Sequence, residues 1–233
     1  MSDSSGTQLP LAVRLRDDAR FSNFYGGHNV ATVARLAAAL AEEQPLALLV
    51  GDTGSGKSHL LQAAAVDHEA AGGVSFCVDL AELQQLAPEV LEGLDAASLV
   101  CLDNIDVVCG DYRWEEALFH LHNRLQDRRA TLLISARAVP AELPLALADL
   151  RSRLSAGILL QLARPKDEDR LIILSARARV RGLELPDEVA HYILRRADRH
   201  TGALLEVLHL LDEASLSSQR RLTIPFVKSV MGW

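Results

Sequence analysis

The stretch Leu46-Ala-Leu-Leu-Val-Gly-Asp-Thr-Gly-Ser-Gly-Lys-Ser58 decides how the rest of the chain is read. Its first five residues are apolar without alternation, the pattern of a short strand buried on both faces. Its last eight, GDTGSGKS, match G-x-x-x-x-G-K-[ST]. With this composition the pattern is expected by chance about 0.001 times in a chain of this length. The glycines let backbone N–H groups turn inward around phosphate oxygens, and the helix that follows adds the positive end of its dipole. Gly51, Thr53, Gly54, Ser55 and Gly56 make the cradle, and His59 stands just past its end. Lys57 supplies a compact charge to the terminal phosphates, and Ser58 offers a hydroxyl to magnesium. This is a P-loop, and the expected cofactors are ADP or ATP with magnesium.

A P-loop needs a second magnesium partner on a neighbouring strand. Leu99-Val-Cys-Leu-Asp103 is an apolar run ending in a carboxylate, which suits that role. The next residue is Asn104, where ATPases of this kind usually carry an acid that orients the attacking water. An amide cannot accept a proton as a base.

Further apolar runs at 74–78, 131–135 and 158–162 alternate with helical patterns. Together with 46–50 and 99–102 they predict an α/β fold with a five-stranded parallel sheet covered on both faces. Asn29 is placed to cap a helix over 30–43, and Pro88 interrupts the helical pattern between the second and third strands. From Pro165 the pattern is helical only, at 167–180, 187–197, 201–217 and 224–231, punctuated by Gly182, Pro186 and Pro225. The expected organisation is a tail over 1–20, a nucleotide-binding domain over 21–164 and a small all-helical lid domain over 165–233.

Composition narrows the functional classes. The 233 residues hold 24 basic and 31 acidic side chains, a net charge of −7, which argues against a broad grip on nucleic acid. Residues 165–233 carry 11 basic and 10 acidic groups, leaving −8 on the rest, so any such contact must be local. Only three of the basic residues are lysines: Lys57, Lys166 and Lys228. No apolar run approaches the roughly 18 residues of a membrane span, and the first residues lack the pattern of a secretory signal. Cys77, Cys101 and Cys109 have neither disulfide-framework nor zinc spacing. These features point to a reduced, cytoplasmic protein with no membrane partner.

The P-loop, Asp103, a strand carrying Ser135, the segment Asp149-Leu-Arg-Ser-Arg153-Leu and the helical ending together resemble the AAA+ ATPases. More narrowly, Phe21-Ser-Asn-Phe24 with Gly27 and Asn29, the Ser152-Arg153-Leu154 run ahead of Gly157, and Ser217-Ser-Gln-Arg-Arg-Leu-Thr-Ile-Pro-Phe-Val-Lys228 resemble the Hda family of DnaA-related proteins. The resemblance implies a negative regulator of replication initiation. Such a protein joins the DNA-loaded sliding clamp (the beta subunit of DNA polymerase III) and provokes hydrolysis of DnaA-bound ATP. It implies that DNA is met mainly through the loaded clamp, and it leaves a homo-oligomer open. It assigns Arg153 as an arginine finger acting on DnaA, with Arg151 as the alternative, and Ser135 as a first sensor. Gln8, Leu9 and Leu11 resemble the peptide that docks into bacterial clamps, an amide at the rim and two leucines in an apolar groove.

The sequence also departs from the family pattern. Gly202 stands where a second sensor arginine is expected, with Arg199 nearby, and Asn104 replaces the usual acid. These changes point to a site that holds nucleotide without turning it over well. A self-sufficient ATPase such as a helicase loader is the alternative. Because no helix-turn-helix pattern follows the lid, a DNA-binding initiator ranks third. His120 and His122 point apart on a helix and make a poor metal pair. Arg177, Arg181, Arg195 and Arg196 are read first as solvated lid residues, with phosphate contact second.

Overall fold

The computed structural model describes residues 19–198 and 200–233; Gln8, Leu9, Leu11 and Arg199 lie outside the described residues. Helix α1 (Val30–Ala41) leads into β1 (Leu46–Val50), and α2 (Lys57–Ala70) begins inside the glycine-rich stretch. Then come β2 (Ser75–Asp79), the single turn α3 (Leu80–Leu83), β3 (Leu99–Asp103), α4 (Tyr112–Asp127), β4 (Thr131–Ala136), α5 (Ala148–Ala156) and β5 (Ile158–Gln161). Four helices follow: α6 (Asp167–Val180), α7 (Asp187–Arg196), α8 (Thr201–Ser218) and α9 (Ile224–Met231).

The strands form one parallel sheet in the order β2-β3-β4-β1-β5. In β1, β3 and β4 every residue is buried, which explains runs that are apolar throughout. The pleat divides them between two cores. Leu48, Val50, Val100, Leu102 and Ile134 face Trp114, Leu118, Leu121 and Leu125 of α4. Leu49, Leu99, Cys101 and Leu133 face Leu36 of α1 and Leu60, Leu61, Ala64 and Ala65 of α2. Small alanines on α2 bring its axis close to the sheet. A slip of one residue in any central strand would exchange the two sets, so register is tightly specified.

The lid has its own core. Leu174 and Ala178 of α6, Ile193 of α7, Leu204, Leu208 and Leu211 of α8, and Phe226 and Val227 of α9 pack together. The expected fold, an α/β P-loop domain followed by a helical lid domain, is the one observed.

Two local expectations change. Asn29 does not cap α1 with its side chain. Its buried amide bonds the backbone of Ala163 in both directions, accepting from N–H at 2.9 Å and donating to C=O at 3.0 Å. An amide that can satisfy a donor and an acceptor together serves better here than a cap that satisfies one. Pro88 opens a 3-10 turn, Pro88–Leu91, rather than breaking a longer helix.

The topology places the site. Ligands of open α/β sheets sit beyond the carboxyl ends of the strands. Here β1 delivers Gly51 to that edge, β3 delivers Asp103, and β4, lying between them, delivers Ser135.

Candidate nucleotide-binding site

The stretch Gly51–Ser58 wraps from β1 into α2. Gly54 and Gly56 take φ of +80° and +99°, the left-handed region that turns N–H groups toward the concave side. A Cβ on Gly56 would come within 2.5 Å of the Phe24 ring, so the loop is also pinned sterically. Lys57 is buried, and its Nζ donates to the carbonyls of Gly51 at 2.6 Å and Asp52 at 3.0 Å. Burial pulls its pKa below the usual lysine range; Asp103 and Asp106 oppose that shift. Ser55 Oγ is buried with no hydrogen-bond partner among the described residues. Thr53 and Ser58 face solvent.

Asp103 closes the other side. It is 6% exposed, and burial raises its pKa, while hydrogen bonds from Ser135 and Ser58 pull the other way. Ser135 Oγ donates to Asp103 Oδ1 and accepts from Asn104 N–H at 2.9 Å. Asn104 sits at φ 59°, ψ 49°, a left-handed conformation that asparagine tolerates. That turn sends its side chain toward β2, where Nδ2 donates to Asp79 Oδ1 at 2.9 Å. Asp79 and Asp103 are register partners on adjacent strands. Asp79 was not anticipated from sequence, although it ends an apolar run as Asp103 does.

Among the described residues, the lid meets the loop and the start of α2 through α6 and the start of α8. His59 Nε2 pairs with the Arg20 carbonyl at 3.1 Å, and Arg177 of α6 bonds its Nδ1 at 3.1 Å. Donation to the carbonyl and acceptance from the guanidinium fix a neutral ring protonated on Nε2. Arg177, first read as solvated, is therefore a buried core-to-lid contact; its spacing from Leu174 and Ala178 on α6 carries that signal. At α8, Thr201 Oγ1 donates to the Gly54 carbonyl at 3.3 Å, and the His200 ring lies 3.2 Å from where a Cβ on Gly54 would be. Exposed Gly202 donates its N–H to His200 Nδ1. His200 and Thr201 thus occupy the lid's approach to the loop.

On α5 the two arginines separate. Arg151 donates to the carbonyls of Pro140, Ala141, Leu143 and Leu145 at 2.5–3.3 Å. Arg153, in the last turn, is exposed and makes no hydrogen bond or ion pair among the described residues. Arg151 is thus committed to backbone carbonyls, whereas Arg153 is not. His122 is buried and His120 exposed.

A parallel sheet in this order, a glycine-rich loop after the interior strand β1, an aspartate on the strand two places away and a helical lid make an AAA+-like P-loop fold. Domain III of the replication initiation protein DnaA from Thermotoga maritima superposes with a TM-score of 0.76 at 20% identity, covering 93% of this chain and 96% of that one. AMPPCP-bound DnaA from Aquifex aeolicus gives 0.68 at 23%, over 85% and 66% of the two chains. The Thermotoga maritima RuvB Holliday junction branch migration motor gives 0.68 at 20%, over 94% and 72%. Residues 167–231 match the family model of the Hda lid domain. The lid is therefore similar to the Hda lid domain, and the chain as a whole has the fold of DnaA domain III. Among the described residues, no helix is long and apolar enough to cross a membrane.

Proposed function

We propose that this protein is a negative regulator of DNA replication initiation that stimulates hydrolysis of DnaA-bound ATP from a position on the sliding clamp. The observation that carries the reading is Arg153: exposed at the end of α5 and uncommitted among the described residues, two positions from an arginine bonded to four backbone carbonyls. A guanidinium presented in this way can enter a neighbour's site and stabilise charge on the transferring phosphoryl group, an effect of roughly 10³–10⁵ in NTPases that use one. The lid match to Hda supports DnaA as that neighbour.

The protein's own site fits a resident nucleotide, ADP or ATP. The fit rests on the Ser55 hydroxyl and the Lys57 ammonium, which among the described residues have no partner and only the loop's own carbonyls respectively, and on a loop turned by left-handed Gly54 and Gly56. Lys57 would hold terminal phosphate oxygens; Ser58 and Asp103 would hold magnesium, which neutralises phosphate charge when bound. Thr53, Ser55, His59 and Ser135 complete the surroundings. Asn104, an amide bonded to Asp79, leaves no acid where a water would be activated, so turnover in this site is slow. Gln8, Leu9 and Leu11 would anchor the clamp from a tail over 1–20, ahead of a nucleotide-binding unit over 21–164 and a lid over 165–233. DNA is then met through the loaded clamp, in the cytoplasm.

The test is DnaA-bound ATP hydrolysis with and without this protein and clamp-loaded DNA. Arg153→Ala should lose the stimulation while keeping nucleotide and clamp binding, because the charge is needed only in the partner's transition state. Gln8→Ala with Leu9→Ala should lose clamp binding and recover part of the stimulation at high protein concentration, since tethering acts through local concentration. Normal stimulation by Arg153→Ala would overturn the assignment.

A further inference from the structure

Glu115, on α4, is 0% exposed, and no cation pairs with it among the described residues. Three backbone N–H groups meet its carboxylate: Gly110 at 2.7 Å and Ala146 at 3.0 Å on Oε1, Leu147 at 2.6 Å on Oε2. Leu147 is the N-cap residue of α5 and supplies no capping side chain. Glu115 therefore does from a neighbouring helix what a capping residue does locally, and sets a negative charge at the positive end of α5. From one turn inside α5, Arg151 grips the carbonyls of residues 140–145. The β4–α5 connection is thus held between a buried anion that takes its N–H groups and a cation that takes its carbonyls. The Gly110 bond ties the same assembly to the loop that leaves Asp103.

Arg153 rides on this clamped helix. A side chain required to reach a partner's phosphates must leave its own surface in a fixed direction, and errors near 1 Å cost large factors in rate. We infer that Glu115 is a positioning residue: it fixes the pitch of α5 against α4 and so the direction in which Arg153 projects. The inference rests on the reading of Arg153 given above.

Glu115→Gln keeps the volume but turns an NH₂ toward N–H groups that need an acceptor, so the α5 end should loosen. Hydrogen exchange at Ala146, Leu147 and the first turn of α5 should quicken by about tenfold or more. Stimulated hydrolysis at saturating protein should fall by about tenfold, with the half-saturating concentration and the protein's own nucleotide affinity unchanged within about twofold. Added to Arg153→Ala, Glu115→Gln should remove nothing further, because it acts through that residue. If Glu115→Gln does not fold, Glu115→Asp, which keeps the charge but draws it back by one methylene, is read in the same way at smaller amplitude. Unchanged exchange at Ala146 and Leu147 overturns the inference, and so does a loss that adds to that of Arg153→Ala or appears in nucleotide affinity. If the unaltered protein stimulates nothing, the reading of Arg153 falls, while the exchange measurement still judges the hold of Glu115 on α5.

Discussion

At the α4–α5 corner, Glu115 and Arg151 are met by seven backbone groups, three N–H and four C=O, at distances of 2.5–3.3 Å. At the carboxyl edge of the sheet, charge is buried on different terms. Lys57 leans on the carbonyls of its own loop, Ser55 Oγ has no partner among the described residues, and burial pushes Lys57 and Asp103 each toward its neutral form. Buried polar groups that are completely paired rigidify a fold; incompletely paired ones carry a desolvation penalty that a ligand can relieve. The first corner is finished by folding, whereas the second is left for the proposed nucleotide to finish.

The sharpest way to break this contrast is at Lys57. Lys57→Ala should weaken ADP and ATP binding by about 100- to 1000-fold, since it removes charge-assisted bonds to the phosphates. Calorimetric titration measures this directly. The same change should leave the nucleotide-free fold as stable as before, or slightly more so, because it deletes a cation that burial disfavours. Lys57→Arg should also bind poorly, as a planar fork does not replace a point charge in this loop. Retained affinity in Lys57→Ala would mean the two regions do not differ in the way described.

The reverse pattern belongs to α5. Arg151→Ala should lower stability by about 2–3 kcal/mol, because it strands several carbonyls of the β4–α5 connection. Arg153→Ala should stay within about 0.5 kcal/mol of the unaltered protein, as exposed side chains do. Urea unfolding of the two variants side by side checks both. An equal loss from the two would erase the distinction between a spent arginine and an available one.

How much of this could be read beforehand follows from the range of each signal. Parallel strands buried on both faces are apolar throughout, so β1, β3 and β4 stand out locally, as do the Gly51–Ser58 spacing and the carboxylate ending β3. The lid helices are fenced by Gly182, Pro186 and Pro225, which act on their own neighbours. Asn29 could not be placed, because its partner Ala163 is 134 residues away and either a cap or a tertiary bond suits the residue. Glu115 lay within reach: it shares the stripe of α4 that carries Leu118, His122 and Leu125 inward, a conspicuous place for a carboxylate. Arg151 and Arg153 flank the buried Leu150 and Leu154 of α5 symmetrically, so the period alone does not separate them. What the period cannot give is the partner, since which backbone meets a buried side chain depends on how elements pack.

The smallest expected effect lies at Asn104, where the site's incompleteness bears on chemistry rather than binding. Turnover by the isolated protein should be very slow, and Asn104→Glu should raise it several-fold at most. Two features hold the gain down. Residue 104 has φ 59°, which costs a glutamate about 1 kcal/mol more than asparagine. A carboxylate there would also replace the amide that donates to Asp79, setting an acid just past β3 against the one that ends β2. Adding Asp79→Asn to Asn104→Glu relieves that repulsion, so the pair should hydrolyse faster than Asn104→Glu alone. Single-turnover hydrolysis of labelled ATP, free of contaminating ATPase, measures all three proteins. Brisk hydrolysis by the unaltered chain would show that the amide at 104 does not disable the site, and would favour a self-sufficient ATPase such as a helicase loader. A double variant no faster than Asn104→Glu would show that backbone conformation, rather than the Asp79 charge, keeps this position from acting as a base.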